Sequence, residues 1–199
     1  MVHILHNEYS KYIEILKSKL TEKRFYHSLC VANESERLAK KYGGDIKTCY
    51  LAGLLHDITK TAPKEEHLKI FETFGIILTD IEKNAQKLWH AISGSAYIEN
   101  ILAIDNAELL DAVRYHTTAK ANMSLTAKIL YLADFTSLDR DYEDVEVIRS
   151  LVDESLEKAF IYALQFSITE LVTDKKAIHP DTVSAYNQAV CDLKDFGGN

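Results

Sequence analysis

The sequence predicts an all-α fold, an irregular helical bundle, and three observations lead there. Apolar residues recur at the three- and four-residue spacing of a helix along nearly the whole chain. Strict apolar/polar alternation, the mark of a half-buried strand, is sustained nowhere. Glycine and proline number only 7 and 2 among 199 residues, where average usage gives roughly two dozen. That is too few for a turn-rich β-sandwich. With 47% hydrophobic residues, the chain has enough apolar surface for a real core and the length of one domain.

The elements follow in order. Tyr9, Tyr12, Ile13, Leu16 and Leu20 line one face of a first helix. Phe25, Leu29, Ala32, Leu38, Ala39 and Tyr42 line a second, which stops at Gly43-Gly44, where glycine accepts the left-handed conformation that ends a helix. Asp45 then caps a third helix through Ile46, Cys49, Tyr50 and Leu54. Pro63-Lys64-Glu65-Glu66 reads as a helix start with proline at the first position. Thr79 with Glu82 three residues on is a capping box. Further helical patterns run over about 91–103, 106–115, 124–135, 155–172 and 182–195, the last ending at Gly197-Gly198. The charged stretch 139–153 reads as a loop leading into a helix.

Composition excludes several classes of function. A net charge of -7 and a pI near 5.6 argue against a polymeric nucleic acid as partner, which needs a basic face. Cys30, Cys49 and Cys191 are odd in number and far apart, and they suit a reducing compartment better than a disulfide framework. The first eight residues lack the pattern of a signal peptide. No run of ~18 apolar residues exists to span a membrane. A cytoplasmic location without membrane association is the expectation.

Chemistry gathers around histidines and acids in helical contexts. His56-Asp57 follows an apolar helix, with Lys60 three residues beyond the acid. Neighbouring residues on a helix point about 100° apart, so both members of the doublet reach one site only at a helix end. Asp134 lies inside the apolar run Leu130-Tyr131-Leu132-Ala133. A buried carboxylate needs a cation or a metal as partner. Imidazole nitrogen and carboxylate oxygen together suit iron, manganese or cobalt. Each feature alone has a plainer explanation, such as a satisfied core histidine or a buried cap. Their joint occurrence in one order, His27, His56-Asp57, His90, His116, Asp134, carries the functional reading.

That order resembles the HD superfamily of metal-dependent phosphohydrolases. The wider text is similar to one branch, the bacterial symmetrical diadenosine tetraphosphate hydrolases. The resemblance runs through Arg24-Phe25-Tyr26-His27, Leu54-Leu55-His56-Asp57-Ile58-Thr59-Lys60 and Leu88-Trp89-His90. It continues in His116-Thr117-Thr118, Ala133-Asp134-Phe135, Leu138-Asp139-Arg140-Asp141 and His179-Pro180-Asp181-Thr182. It implies one HD-type domain over residues 1–199, with a core over about 10–187.

The resemblance also implies roles. Iron, as a two-iron centre, is held by His27, His56, Asp57 and Asp134, with manganese or cobalt as alternatives. His90 and His116 face the open side, where substrate contact is expected and a second metal is the other choice. Thr117 donates to a phosphate oxygen. Lys60 and Arg140 clamp the polyphosphate, and His90, His116 and Lys60 form the catalytic set. Asp134 also borders the substrate. Ala177, Ile178, His179, Pro180, Asp181 and Thr182 wrap the nucleoside, or simply form the turn before the last helix. A hydroxide generated by the metal attacks a central phosphorus and yields two ADP. The chain departs from the family in having no proline between Asp134 and Arg140 and in having histidine at 179, where tyrosine is frequent. Two other readings share the pattern: another HD-type nucleotide phosphohydrolase, acting on monophosphates or cyclic nucleotides, and a non-catalytic nucleotide-binding regulator. The 11 tyrosines leave a homodimer surface open.

Overall fold

The structure, a computed structural model, describes residues 7–196. These form α1 (Ser10–Lys19), α2 (Glu22–Tyr42), α3 (Ile46–Leu55), α4 (Lys64–Thr73), α5 (Asp80–Asn84) and α6 (Trp89–Asn100). They continue with α7 (Ala107–Tyr115), α8 (Leu125–Thr136), α9 (Val145–Glu154), α10 (Leu156–Thr173) and α11 (Pro180–Phe196). No strand occurs among the described residues. None of the helices is long and apolar enough to cross a membrane.

Short polar side chains start the helices. Asp45 accepts from the Thr48 N–H at 2.7 Å, Asn106 from Leu109 at 3.1 Å and Ser124 from Ala127 at 3.2 Å. Thr79 and Glu82 form the reciprocal capping box that their spacing predicts. Gly43 closes α2 with φ of 76°. Pro63 stands one position earlier than expected, as the N-cap of α4, and α11 opens at Pro180, two residues before the apolar pattern begins. The expected stop at Gly197-Gly198 lies outside the described residues.

The stretch 139–153 departs from expectation, because its second half is itself α9. Val145, Ile148 and Val152 fall on one face and are buried. The charges on its outward face complete an amphipathic pattern, and it is the charge run over 139–144 ahead of it that makes the whole stretch read as a loop. Arg149 on this helix donates to the carbonyl oxygens of Thr136 at 3.1 Å, Ser137 at 2.8 Å and Arg140 at 3.0 Å. The segment that carries Asp139 and Arg140 is thereby fastened to the bundle.

The centre is built by α2, α3, α7 and α8. Leu38, Leu54, Leu55, Ile129, Leu130 and Leu132 are fully buried there, each worth about 1.5–3 kcal/mol relative to exposure. Gly53 sets how closely α3 meets α2. A Cβ at that position would stand 2.7 Å from Ser35 Oγ and 2.8 Å from Ala32 Cα. The contact lies one turn before His56, so it brings the end of α3 beside His27 on α2. A second, smaller cluster of Ile70, Phe71, Trp89, Ile92 and Ala96 packs α4 against α6.

Candidate metal and phosphate site

The site forms where α3 and α7 end against the flanks of α2, α6 and α8. His56 follows the last residue of α3, and the chain turns tightly afterwards, with Ile58 N–H to Leu55 O at 3.0 Å and Lys60 N–H to Asp57 O at 2.8 Å. That turn lets both members of the His56-Asp57 doublet face inward. His116 follows the last residue of α7 in the same way. His56 Nδ1 donates to Gly53 O at 2.7 Å, and His116 Nδ1 donates to Val113 O at 2.7 Å. Each bond occupies Nδ1 with a backbone carbonyl and turns Nε2 into the site.

Asp57 is the hub. Its Oδ1 lies 3.2 Å from His90 Nε2, 3.6 Å from Lys60 Nζ and 3.8 Å from His116 Nε2. Its Oδ2 lies 3.2 Å from an Arg24 guanidinium nitrogen and 3.6 Å from His56 Nε2. On the other side, His27 Nε2 is 3.0 Å from Asp134 Oδ1, and His27 Nδ1 is 2.8 Å from Asp139 Oδ2. Asp139 in turn accepts from Ser137 Oγ at 2.8 Å. Arg140 closes over Asp134, pairing with its carboxylate and donating from Nε to its carbonyl oxygen.

The electrostatics separate charged from neutral donors. Burial pushes the Asp57 carboxyl up, but His56, His116, His90 and Lys60 around it win and hold it well below the usual range. Burial also opposes ionisation of Asp134, and Arg140, His27 and His56 reverse it. Burial pulls His56 down to about 3 and His90 down to about 4, so both are neutral imidazoles near pH 7. Burial lowers His27 too, yet the flanking carboxylates of Asp134 and Asp139 carry it up to about 9. Ionised carboxylates beside the neutral imidazoles of His56 and His90 offer lone pairs to a first-row transition ion, and His27 would give up its proton on holding one.

The residues fit such an ion on a second ground. His56 Nε2 is buried with no hydrogen-bond partner, an arrangement that costs about 1–3 kcal/mol unless something satisfies it, while His27 Nε2 and Asp57 Oδ1 have only Asp134 at 3.0 Å and His90 at 3.2 Å, without good hydrogen-bond geometry. Ligand atoms of His27, His56 and Asp134 all lie within 4.8 Å of one another, and so do those of His56, Asp57 and His116. The two groups share His56, which gives the nest two overlapping ligand sets. His90 Nε2 faces Lys60 Nζ at 3.0 Å and His116 Nε2 at 3.1 Å as well as Asp57. No single protonation state of that nitrogen suits all three neighbours.

His90 and His116, expected on the open side, are almost fully buried beside Asp57, and His90 still borders the open cleft of Arg24 and Lys60. Lys60 stands at the edge of the nest, more accessible than either histidine. A cavity of about 660 Å³ begins one residue past His116 and is lined by Thr117, Thr118, Ala177, His179 and Thr182, with Leu88 and Leu171 as apolar walls. Thr182 Oγ1 donates to Thr118 O at 2.7 Å and ties its two sides together. Ile178, Pro180 and Asp181 are not part of the lining. Pro180 opens α11 and Asp181 lies in its first turn. The segment is therefore both a cavity wall and a helix start.

Sequence reasoning assigned no role to Arg24, Asp139 or Glu82. Arg24 is three residues before His27 and so shares its helix face, a signal available in the sequence. Asp139 carries no such mark, since it stands in a run of charges. Glu82 is buried, bonds Arg114 at 2.5 Å and faces His179 at 3.9 Å. It links the capping box of α5 to the wall of the cavity.

An all-helical bundle that converges histidines and aspartates on one buried nest defines a class of metal-binding hydrolase folds. The chain belongs to the HD domain family, whose model matches residues 24–139. It is 34% identical to the symmetrical bis(5'-nucleosyl)-tetraphosphatase of Halalkalibacterium halodurans over 92% of this chain and 98% of that one. It is 31% identical to the protein of the same name from Bacillus subtilis over 88% and 94%. A crystal structure from Clostridium acetobutylicum, described as a predicted HD superfamily hydrolase involved in NAD metabolism, superposes with a TM-score of 0.89 at 33% identity, covering 92% of this chain and 97% of that one.

Proposed function

We propose that this chain is a metal-dependent phosphohydrolase that cuts diadenosine tetraphosphate at its central bridge to give two ADP. The observation that carries the reading is the nest of His27, His56, Asp57, His116 and Asp134, whose ligand atoms fall into two overlapping sets around an unpartnered His56 Nε2, set beside a nucleoside-sized cavity. Relatives of nearly the same length bear the name of that activity.

His27, His56, Asp57 and Asp134 would hold the ion, and His116 adds a fifth donor within reach. Bound there, iron, or manganese or cobalt in its place, supplies Lewis acidity toward phosphate oxygens and lowers the pKa of water. The chain's own residues do the rest. Thr117 and the walls formed by Ala177, His179 and Thr182 seat one nucleoside. Lys60 and Arg24 present positive charge to the phosphates from one side and Arg140 from the other, which is positioning and electrostatic complementarity. Asp139 holds the His27 ring through Nδ1. Seating one nucleoside in the cavity sets which bridge lies over the nest. A cytoplasmic location belongs to the same reading and agrees with three unpaired cysteines.

A panel of diadenosine tetraphosphate, nucleoside monophosphates and cyclic nucleotides tests the reading on metal-assayed protein. Preferred turnover of the tetraphosphate supports it. Preference for a monophosphate or a cyclic nucleotide contradicts it.

A further inference from the structure

A second cavity meets the nest from another side. It measures about 530 Å³, within the range of small-molecule sites, and Arg24, Lys60, Lys64, Lys87, Trp89 and His90 are among its lining residues. Four of these are lysine or arginine side chains and no carboxylate lines the cavity, in a chain whose net charge is -7. Lys64 and Lys87 are exposed, and neither has a carboxylate within ion-pairing distance among the described residues. Lys64 instead stands 6.0 Å over the Trp89 ring. Arg24 and Lys60 share the single carboxylate of Asp57 behind the cleft, so four converging cations with no carboxylate in the lining leave an excess of positive charge that suits a polyanion.

The placement is specific. Lys60 and His90 belong both to this cleft and to the Asp57 hub. His90 touches His116, with Nε2 atoms 3.1 Å apart, and the 660 Å³ cavity starts at the next residue, Thr117. Gln86 and Lys87 line both cavities, so the two flank one short turn with the nest between them. A dinucleoside tetraphosphate has two identical halves. A site that acts at its central bridge must let one half run out on each side. With one nucleoside beside Thr117 and His179, the other half leaves over Lys60 and His90.

On the hydrolase reading, we infer that the cleft of Arg24, Lys60, Lys64, Lys87 and Trp89 is the seat of the second nucleoside diphosphate half of the substrate. A third hollow beside the nest, about 310 Å³ and lined by Asp134, Phe135, Arg140, Tyr142, Phe166 and Glu170, fits less well. It is smaller, and its one cation is outnumbered by two carboxylates.

Lys64 is the residue to change, because it is exposed and lies outside both the nest and the first cavity. Binding to the metal-loaded protein is measured for a diadenosine tetraphosphate analogue with a methylene central bridge and, separately, for the first molecule of ADP. Lys64→Glu is expected to weaken the analogue about tenfold, the effect of turning one or two attractive charge pairings repulsive, with ADP affinity held and Lys64→Arg close to wild type. Equal affinity of wild type and Lys64→Glu for the analogue overturns the inference, and so does a parallel loss for ADP. Turnover separates the two readings. A wild-type protein that makes no ADP from diadenosine tetraphosphate overturns the hydrolase reading and this one with it. ADP production together with an unaffected Lys64→Glu variant overturns the cleft alone.

Discussion

His56 donates from Nδ1 to the carbonyl oxygen of Gly53 at 2.7 Å. One short residue on α3 thus does two jobs. Its missing side chain lets α3 approach α2, and its carbonyl oxygen aims the imidazole so that Nε2 faces Asp57 and the His27–Asp134 pair.

Gly53→Ala is expected to damage both jobs. Its Cβ would meet the α2 backbone at 2.8–2.9 Å, where neither helix gives way easily. A destabilisation of about 1–3 kcal/mol follows, or roughly 2–10 °C in Tm for a chain of this size. Metal content should fall as well, because the clash moves His56 away from His27. A calorimetric scan with metal analysis checks this. An unchanged Tm contradicts the packing argument.

Asp139→Asn tests the outer hold on His27. The amide keeps the shape and loses the charge that faces Nδ1 at 2.8 Å. Metal affinity should drop about 10–100-fold with the helical signal intact. Competition against a chromogenic chelator gives the number, and an affinity equal to wild type means that Asp139 has no part in orienting His27.

Asp57→Ala removes the hub. Turnover should fall at least about a hundredfold, because the set of His56, Asp57 and His116 loses its carboxylate and Arg24, Lys60 and His90 lose a counter-charge. Circular dichroism establishes that the fold survives. Turnover within a few-fold of wild type in a folded variant refutes the assignment.

Stripping the metal should lower stability, since His56 Nε2 has no hydrogen-bond partner in the protein and His27 Nε2 and Asp57 Oδ1 are poorly satisfied. Ligand linkage gives about 4 kcal/mol for an ion present at a thousand times its Kd. Tm should fall on chelation and recover with added iron or manganese. A Tm indifferent to chelation, in protein shown to have carried metal, contradicts the nest as its seat.

The fold was largely legible because most helices bury one face and begin at short polar caps, both of which leave marks in sequence. The helix α9 escaped because the charge run over 139–144 drew the whole stretch into a loop, although Val145, Ile148 and Val152 keep helical spacing. At the site, the structure brings His27, His56, Asp57, His90, His116 and Asp134 into one nest, as their shared helical contexts suggested. It also buries His90 and His116 beside Asp57, with His90 bordering the open cleft of Arg24 and Lys60. Burial of that kind follows from where helices end and cross, which spacing along one chain does not specify. Asp139 and Glu82 were hidden for a related reason: each acts on a histidine far away in sequence, through contacts that only the packed bundle creates.

The most direct measurement is product analysis of diadenosine tetraphosphate hydrolysis by protein of known metal content. The account predicts two ADP per substrate, activity lost on chelation and restored by iron or manganese, and none in Asp57→Ala. ATP plus AMP as products, or no hydrolysis by fully metallated wild-type protein, would contradict it.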